Sequence, residues 1–380
     1  MLHFSDTEFA RRRAEVKDQM AQRGLDALLL FAPETHYWLT GYDTFGYCFF
    51  QCLIWEGDDS VLLTRSADLR QAQLTSTITD IRVWKDGAGS NPAADLKALL
   101  AERGLAGKRL GIEFDTPGLT AFNWRRIEAQ LGDQTFVDVS DMFTALRLVK
   151  SDEELAHIRR AGELADDALD AGIAAIVPGA GETEVLTAMQ GAVFAGGGGY
   201  PGNPFIVGSG EHALLCRTHA GRQAFEQNDQ LTLEWAGVFR NYHAAAMRTV
   251  VIGSERPEHR AMHAACREAL LACEDALRPG RPMGEVFAAH AGVMDSAGFA
   301  GARLNACGYS MGASYAPCWM DFPMFFEGAD TIMASGMVFF LHMILMDSDS
   351  GSAMSLGRSS IIHDGGAEPL SRLPLDMIVV

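Results

Sequence analysis

The arrangement of long apolar strands between pairs of helices is the feature that most limits the fold of this chain. After about residue 146, two predicted helices precede two long strands, and the same order of two helices and two strands then occurs again. The segments are helices from 151 and at 181–195, strands at 229–236 and 240–253, helices at 256–277 and 283–297, and strands at 337–346 and 354–363. This repetition, visible in layout rather than in residue identity, predicts one domain with two similarly built halves.

The first 145 residues have a different pattern, in which short apolar segments alternate with helical ones. Ser5 and Glu8 have the spacing of a capping box at the start of a helix, and Gly24 marks the end of that helix. Short strands are expected in the segments DALLLF, CFFQCLIW, SVLLT and RLGIEF. The sequence therefore predicts a compact α/β domain over residues 1–145 and a second domain over residues 146–380.

Charge and cysteine content limit the partners and the compartment that we expect. The formal net charge of −18 disfavours nucleic acid and anionic membranes as partners, and it suits a small zwitterionic or cationic substrate. Seven cysteines, an odd number without C-x-x-C spacing, indicate reduced thiols. The N-terminal segment lacks the apolar core of a signal peptide, and no run of about 18 apolar residues is present. We therefore expect a soluble, cytoplasmic protein.

Five segments along the chain are similar to segments of one known superfamily. They are HYWLTGY (36–42), RLVKSDEELAHIRRAG (147–162), SGEHALLCRTHAGRQAFEQND (209–229), ASGMVFFL (334–341) and DGGAEPLS (364–371). Together they resemble the pita-bread fold of creatinase, prolidase and the aminopeptidases of the peptidase M24 family. The resemblance implies an α/β (α+β) fold class, with an N-terminal creatinase/prolidase-like α/β domain followed by a C-terminal pita-bread domain.

The residues that hold metal ions in this superfamily are largely replaced in this chain. In the metal-dependent members, two aspartates, a histidine and two glutamates hold two divalent ions. By resemblance, the corresponding positions here are Glu234, Ala245, Tyr309 and His342, with the last one near Gly357. Two neighbouring divalent ions need several anionic oxygens, which this set does not supply. We therefore expect a site that works without metal and without another cofactor.

Several alternatives to a metal-free enzyme remain open at this point. Glu234, His243 and His342 are residue types that could hold one zinc ion, although they have no characteristic spacing. The chain could be an inactive homologue that binds a small ligand, or an Xaa-Pro dipeptidase or aminopeptidase that keeps its metal. The third alternative requires the five ligands, and Ala245, Tyr309 and Gly357 argue against it.

The candidate catalytic residues are histidines, a tyrosine and one buried glutamate. Creatinase is a metal-free member of the superfamily, and the resemblance implies that His219, in the segment CRTHAG, transfers protons. Glu234 lies in an apolar strand, so its charge needs a partner, which is either Arg248 or a cationic substrate. Glu234 could also act as a nucleophile. Tyr309, His243 and His342 are candidates for binding the developing oxyanion or the leaving nitrogen.

A narrower resemblance joins four stretches of this chain to the ectoine hydrolases, which open a cyclic amidine. The stretches are TGYDTFGYCFFQ (40–51), EWAG (234–237), RNYH (240–243) and GYSMGASYAPCW (308–319). They imply Tyr242 and Tyr315 as substrate-binding residues. The expected activity is metal-independent hydrolysis of a C–N bond in a small non-peptide substrate, such as a cyclic amidine, a guanidino compound or an amide.

The aromatic residues Tyr42, Phe45 and Tyr47 are further candidates for substrate binding, because aromatic faces can hold a cation. Packing in the core is the simpler explanation for part of this cluster. In the creatinase branch, however, the N-terminal domain of one subunit closes the active site of the other. The resemblance therefore implies a two-fold homodimer in which these residues line the neighbouring subunit's site.

Overall fold

The computed structural model describes residues 2–221 and 223–380. The chain divides into two compact units, the first ending at Arg147 and the second beginning at Leu148. The sequence pattern puts this boundary after residue 145.

The first unit is a mixed sheet with helices on both faces. Its helices are α1 (Asp6–Arg23), α2 (Pro33–Thr40), α3 (Leu69–Thr75), α4 (Pro92–Glu102), α5 (Ala121–Leu131) and α6 (Ser140–Leu148). Its strands are β1 (Ala27–Leu30), β2 (Cys52–Trp55), β3 (Ser60–Arg65), β4 (Asp80–Trp84), β5 (Arg109–Ile112) and β6 (Thr135–Asp138), in the sheet order β4-β3-β2-β1-β5-β6.

Alternation along the central strand β1 explains why this unit has two cores. Ala27 and Leu29 pack with residues of α4 and α5. Leu28 and Leu30 pack with residues of α1 and α6 on the other face. Successive side chains of a strand point to opposite faces, so four consecutive apolar residues indicate a sheet buried on both sides.

Hydrogen bonds at the helix starts and ends follow the signals in the sequence. The main-chain N–H of Glu8 donates to Ser5 Oγ (3.1 Å), and Gly24 ends α1 in the left-handed region (φ 62°), so the predicted start and end of this helix are confirmed. The N-cap residue of α2, Ala32, has no side chain that could cap this helix. Instead, Glu113, at the end of β5, accepts hydrogen bonds from the N–H groups of Phe31 (2.9 Å) and Ala32 (3.0 Å). A distant carboxyl thus satisfies the N–H groups just before this helix.

The second unit consists of two helix pairs and one large sheet. Its helices are α7 (Asp152–Ala174), α8 (Glu182–Ala195), α9 (Pro257–Ala276) and α10 (Gly284–Ser296). Its strands are β7 (Ile206–Ser209), β8 (Asp229–Phe239), β9 (Tyr242–Ile252), β10 (Ala306–Ser310), β11 (Asp321–Phe326), β12 (Val338–Asp347), β13 (Ser352–His363), β14 (Gly366–Pro369) and β15 (Ile378–Val379).

The order of strands in this sheet has the symmetry that the repeated layout predicts. The order is β11-β10-β12-β13-β9-β8-β7, while β14 pairs with β13 and β15 with β9. The hairpins β8–β9 and β12–β13 meet along the β9–β13 pairing, and all three pairings are antiparallel. A pseudo-two-fold axis between β9 and β13 therefore relates α7, α8 and β7–β9 to α9, α10, β10, β12 and β13.

Strand β8 is fixed to helix α7 on one face of the sheet. Trp235 Nε1 donates to the carbonyl oxygen of Ala165 (2.8 Å). At Gly237, an added Cβ would lie 1.8 Å from the carbonyl oxygen of Ala161, so only glycine permits this approach. Glu234 alternates with these residues and points to the opposite face.

Neither a disulfide nor a membrane-spanning helix is found in the described part of the chain. The seven cysteines are all unpaired. No helix within residues 2–221 and 223–380 combines the length and apolarity needed to cross a bilayer.

Candidate active site

The site is built on the face of the second sheet that points away from α7. Glu234 on β8 pairs with Met247 on β9, Met247 with Gly357 on β13, and Gly357 with His342 on β12. Paired residues of neighbouring strands share a face, so these four form one row across the sheet. Tyr309 on β10 pairs with Phe340, which lies two residues before His342 on β12 and on the same face.

These rows bring together the positions that hold metal ions in the superfamily, but the donor atoms for two ions are missing. Ala245 pairs with Ala236, two residues beyond Glu234 on the same face. At Gly357, an added Cβ would lie 2.6 Å from the carbonyl oxygen of Leu341, so the backbone leaves no room for a side chain there. No group of three or more His, Cys, Asp or Glu residues within 2–221 and 223–380 could hold a metal ion. The residues present do not fit the paired metal ions of the superfamily.

A cavity of about 310 Å³ opens over Glu234. It brings together Glu234 and His219, which lie fifteen positions apart in the sequence and on different segments. The lining residues are Asn203, Pro204, Ile206, Arg217, Thr218, His219, Glu234, Pro317, Cys318, Trp319 and Met320.

Glu234 is a buried carboxyl with two polar neighbours. The whole residue is 7% exposed. The Tyr309 hydroxyl donates to Oε1 (3.4 Å), and Arg217 Nη1 lies 4.0 Å from Oε2. Burial raises the pKa of Glu234 from 4.5 to about 7, and Arg217 and Tyr309 partly oppose this rise. A carboxyl with this pKa exchanges protons readily near neutral pH.

Arg248 is not the partner of Glu234. It pairs with Leu233 and Leu356, so it lies on the opposite face of the sheet. Its Nη1 donates to the carbonyl oxygens of Met247 and Gly357, both at 2.8 Å. The strand register thus excludes Arg248 as the charge partner of Glu234. A cationic substrate is the other partner that the sequence suggested.

Tyr309 lies beside Glu234 and His342 lies beside Tyr309, and both side chains are neutral. The Tyr309 hydroxyl accepts a hydrogen bond from Trp319 Nε1 (2.9 Å), and burial together with Glu234 raises the pKa of Tyr309 well above its usual range. The His342 ring is 5.7 Å from the Tyr309 ring. Burial lowers the pKa of His342 to about 3, and its Nδ1 has no hydrogen-bond partner within the described residues.

The His243 ring is bonded to backbone groups on both sides. Its Nε2 accepts from the N–H of Gly202 (2.9 Å), and its Nδ1 donates to the carbonyl oxygen of Asn241 (2.8 Å). Burial lowers the pKa of His243 to about 4. Both ring nitrogens are therefore occupied by backbone groups, which removes the third donor of a zinc site with Glu234 and His342.

The two tyrosines predicted to bind substrate, Tyr242 and Tyr315, are not among the residues that line this cavity. The Tyr242 hydroxyl donates to Glu154 Oε1 (2.7 Å) at the start of α7, on the face of the sheet opposite Glu234. The Tyr315 hydroxyl accepts from Asn241 Nδ2 (3.1 Å). Tyr242 thus fixes β9 to helix α7, and Tyr315 fixes the segment GYSMGASYAPCW to the turn at Asn241.

The segments RNYH and GYSMGASYAPCW, which carry the narrower resemblance, contact each other. The N–H of His243 donates to the carbonyl oxygen of Gly312 (3.1 Å), and the N–H of Ser314 donates to that of Asn241 (3.0 Å). Residues 317–319 of the second segment then line the cavity. The two segments, separate in the sequence, therefore form one wall region next to the cavity.

The aromatic candidates of the first unit have different environments. Tyr42 is buried in the core, and its hydroxyl accepts from Gln51 Nε2 (3.0 Å). Tyr47 is nearly buried, and burial raises its pKa to about 12. Phe45 is 81% exposed. Core packing therefore accounts for Tyr42 and Tyr47, whereas Phe45 presents its ring to solvent in the single chain.

Two residues of the site escape prediction from the sequence. Arg217 stands at the cavity rim and Trp319 on its wall. Both lie in stretches that carry the resemblance, CRTHAG and APCW. Their position in the same stretch as a candidate residue was the sequence feature that could have indicated them.

Comparison with known proteins follows the division into two units. Residues 156–364 match the model of metallopeptidase family M24. Residues 12–149 match the creatinase/prolidase N-terminal domain.

Relatives with known names include hydrolases of different specificity. The chain is 28% identical over 401 residues to the ectoine hydrolase of Halomonas elongata, with 100% of this chain and 98% of the relative covered. It is 26% identical over 392 residues to an uncharacterized hydrolase/peptidase of Sinorhizobium fredii, with 100% and 99% covered. It is 21% identical over 360 residues to the Xaa-Pro dipeptidase of Pyrococcus furiosus, with 94% and 97% covered.

Solved structures agree in fold. The dipeptidase PepE of Mycobacterium ulcerans matches with a TM-score of 0.85 at 23% identity, covering 99% of each chain. The X-Pro aminopeptidase of Thermotoga maritima also matches with a TM-score of 0.85, at 19% identity, covering 97% of this chain and 99% of the other. The predicted fold, an N-terminal creatinase/prolidase-like α/β domain followed by a pita-bread domain, is confirmed.

Proposed function

Because the chain belongs to metallopeptidase family M24, it is a hydrolase, and we propose that it cleaves a C–N bond of a small non-peptide substrate without a metal ion. The observation that carries this proposal is Glu234, a buried carboxyl with a pKa of about 7 at the base of a small cavity. It stands where metal-dependent members have a ligand, and its neighbours cannot complete a set of metal ligands. A carboxyl without metal is free to move protons.

The substrate class follows from the charges and size of the cavity. A volume of about 310 Å³ is at the small end of ligand pockets, which span about 300–1,000 Å³. Glu234 suits a cationic amidine or guanidino group, and Arg217, 71% exposed at the rim, suits a carboxylate. The similarity to an ectoine hydrolase supports a cyclic amidine among such zwitterions.

The reaction that we propose begins with water next to Glu234. Glu234 takes a proton from water, whose oxygen bonds to the amidine carbon. The C–N bond then breaks, and the leaving nitrogen receives a proton from Glu234 or His219, so that one water is consumed. His219 is exposed on the cavity wall and connects this proton transfer with solvent. A single turnover in ¹⁸O-water that labelled Glu234 would instead identify an ester intermediate.

A two-fold homodimer is part of the proposal. Phe45, 81% exposed, has the highest exposure among the large apolar side chains described in the first unit, so its ring is available to contact a neighbouring subunit. The first unit of each subunit would then close the cavity of the other.

The test combines elemental analysis with turnover on a panel of substrates. We expect metal-free protein to hydrolyse at least one member of a panel of cyclic amidines, guanidino acids and lactams, with no change on adding chelator. His219→Ala is expected to lower kcat by about 100-fold. Stoichiometric metal with chelator-sensitive cleavage of Xaa-Pro dipeptides would overturn the proposal, and binding without turnover would point to an inactive homologue.

A further inference from the structure

Three side chains form a hydrogen-bond chain that ends at Glu234. Trp319 Nε1 donates to the Tyr309 hydroxyl (2.9 Å), and that hydroxyl donates to Glu234 Oε1 (3.4 Å). An indole N–H can only donate. The Tyr309 oxygen must therefore act as acceptor towards Trp319, and its own proton is left for Glu234. The direction of the chain is fixed from Trp319 towards the carboxyl.

We propose that Trp319 is a positioning residue that acts through Tyr309 and makes the two oxygens of Glu234 unequal. Oε1 always accepts the hydrogen bond from the Tyr309 hydroxyl, and Oε2 is the oxygen that exchanges a proton with water and substrate. The assignment of Oε2 to proton exchange rests on the proposed function. The difference between the two oxygens does not depend on which substrate is used.

Trp319 is held firmly enough to fix this direction. Its side chain is 1% exposed. Its main-chain N–H donates to Asn203 Oδ1 (3.1 Å), and its carbonyl oxygen accepts from Ser314 Oγ (3.2 Å). At Gly202, an added Cβ would lie 2.9 Å from the Trp319 nitrogen, so the two loops pack in direct contact. Contacts on both sides leave the indole little freedom to turn.

Oε2 is the oxygen with the open environment. Arg217 Nη1 lies 4.0 Å from it, further than a direct hydrogen bond, and leaves room for a substrate group or water. The titratable or charged groups around Glu234 come from the loop 216–219, from the loop at 318, from β10 and from β12. They are Cys216, Arg217, His219, Tyr309, Cys318 and His342.

The length of the Tyr309 bond indicates what the chain does during proton exchange. A separation of 3.4 Å is long for an O–H···O bond, whose usual length is about 2.7 Å. Hydrogen bonds to an ionised carboxylate are shorter and about twice as strong. The bond can therefore shorten when Glu234 ionises, so the chain favours the ionised form and keeps it available as a base.

The experiment compares Trp319→Phe, Tyr309→Phe and the double variant in the full-length protein. Each single variant is expected to move the acid limb of the pH profile of kcat/KM upward by roughly 0.5–1 unit, with KM changed less than about two-fold. Because both residues act along one chain, the double variant should match Tyr309→Phe alone.

A matched control is available in the same domain. Trp235 is also 1% exposed and donates its indole N–H to a carbonyl oxygen, at 2.8 Å from Ala165. Trp235→Phe should therefore lower thermal stability without moving the pH profile. An unchanged profile in Trp319→Phe, or additive shifts in the double variant, would overturn the proposal.

A second measurement keeps the inference separate from the reaction. In protein labelled with ¹³C at the glutamate carboxyl, with Glu234→Gln used for assignment, Trp319→Phe and Tyr309→Phe should each raise the pKa of Glu234 by roughly 0.5–1 unit in NMR titration. Identical titration in wild type and variants would refute the chain even if the enzyme is active. A shifted titration without turnover in wild type would retain the chain and reject the proposed function.

Discussion

At the residue scale, Glu234 is placed where its charge costs stability. The folded state raises its pKa from 4.5 to about 7 and so holds the proton more tightly than the unfolded chain does. The contribution of Glu234 to the free energy of unfolding is therefore largest below pH 4.5, falls as the pH rises to about 7, and stays level above that. Each pKa unit corresponds to about 1.4 kcal/mol, so the ionised carboxylate costs about 3 kcal/mol. A functional reason for accepting this cost is proton exchange.

Glu234→Gln tests this cost directly. The neutral amide keeps an acceptor for Tyr309 and removes the buried charge, so we expect the free energy of unfolding at pH 8 to rise by about 1–3 kcal/mol. At pH 5 the variant and wild type should differ little, and turnover should be lost. Chemical denaturation at both pH values measures the difference. Glu211→Gln removes an exposed carboxylate and serves as control; an equal effect of Glu234→Gln at both pH values would contradict the expectation.

The sequence predicted the part of the site that lies on strands. Glu234, Tyr309 and His342 were predicted from their place in the resemblance, and strand pairing puts them on one face. Arg217 and Trp319 were missed because they lie in loops about 100 positions apart that meet only in the folded chain. Periodicity carries no information about such loops.

At the scale of elements, strand β8 serves two purposes on its two faces. Trp235 and Gly237 fix it to α7, while Glu234, just before Trp235 and on the other face of the strand, lines the cavity. The stretch EWAG thus combines one residue for the site with two for packing. This explains why a short sequence can be specific without each residue taking part in the reaction.

Gly237→Ala is expected to destabilise the second unit by about 3 kcal/mol or more, because its Cβ would overlap the Ala161 carbonyl oxygen and push α7 from the sheet. Gly191→Ala is the matched control, since nothing lies within 4 Å of an added Cβ at this exposed position of α8. It should stabilise by about 0.5–1 kcal/mol through helix propensity. Thermal unfolding of both variants decides the matter, and equal effects would refute the close approach at Gly237.

The long elements were predicted with small errors, and the short ones less well. Strands expected at 229–236 and 337–346 are observed as β8 and β12. The segment CFFQCLIW forms a strand only over Cys52–Trp55, because a 3₁₀ turn occupies Gly46–Cys48 just before it. Strand β11 was not predicted, since Pro323 within it is typical of an edge strand or a loop.

At the scale of the whole molecule, the sheet symmetry gives Glu234 and His342 equivalent places. Both lie on the second strand from the β9–β13 junction, in the same cross-strand row. One half contributes a carboxyl with a raised pKa and the other an imidazole with a lowered one. The halves that share a layout have thus acquired different chemistry at matching positions.

The proposed dimer predicts a defect that depends on a residue far along the chain from Glu234. Phe45→Ala should raise KM by about ten-fold with little change in kcat or in thermal stability, because Phe45 is 81% exposed in one chain. Light scattering should give twice the mass of 41.2 kDa. Phe122→Ala, at a residue 69% exposed, provides the control. A monomeric, fully active wild type would remove this part of the proposal.

The packing at Gly357 also bears on how such a site can change during evolution. A carboxylate at this position would need its Cβ 2.6 Å from the Leu341 carbonyl oxygen, so β12 and β13 would have to separate first. Ala245 and Tyr309 would have to change as well before two ions could bind, and each intermediate sequence would bear its steric cost without an ion to offset it. A single substitution at Gly357 therefore cannot by itself turn this site into one that holds two metal ions.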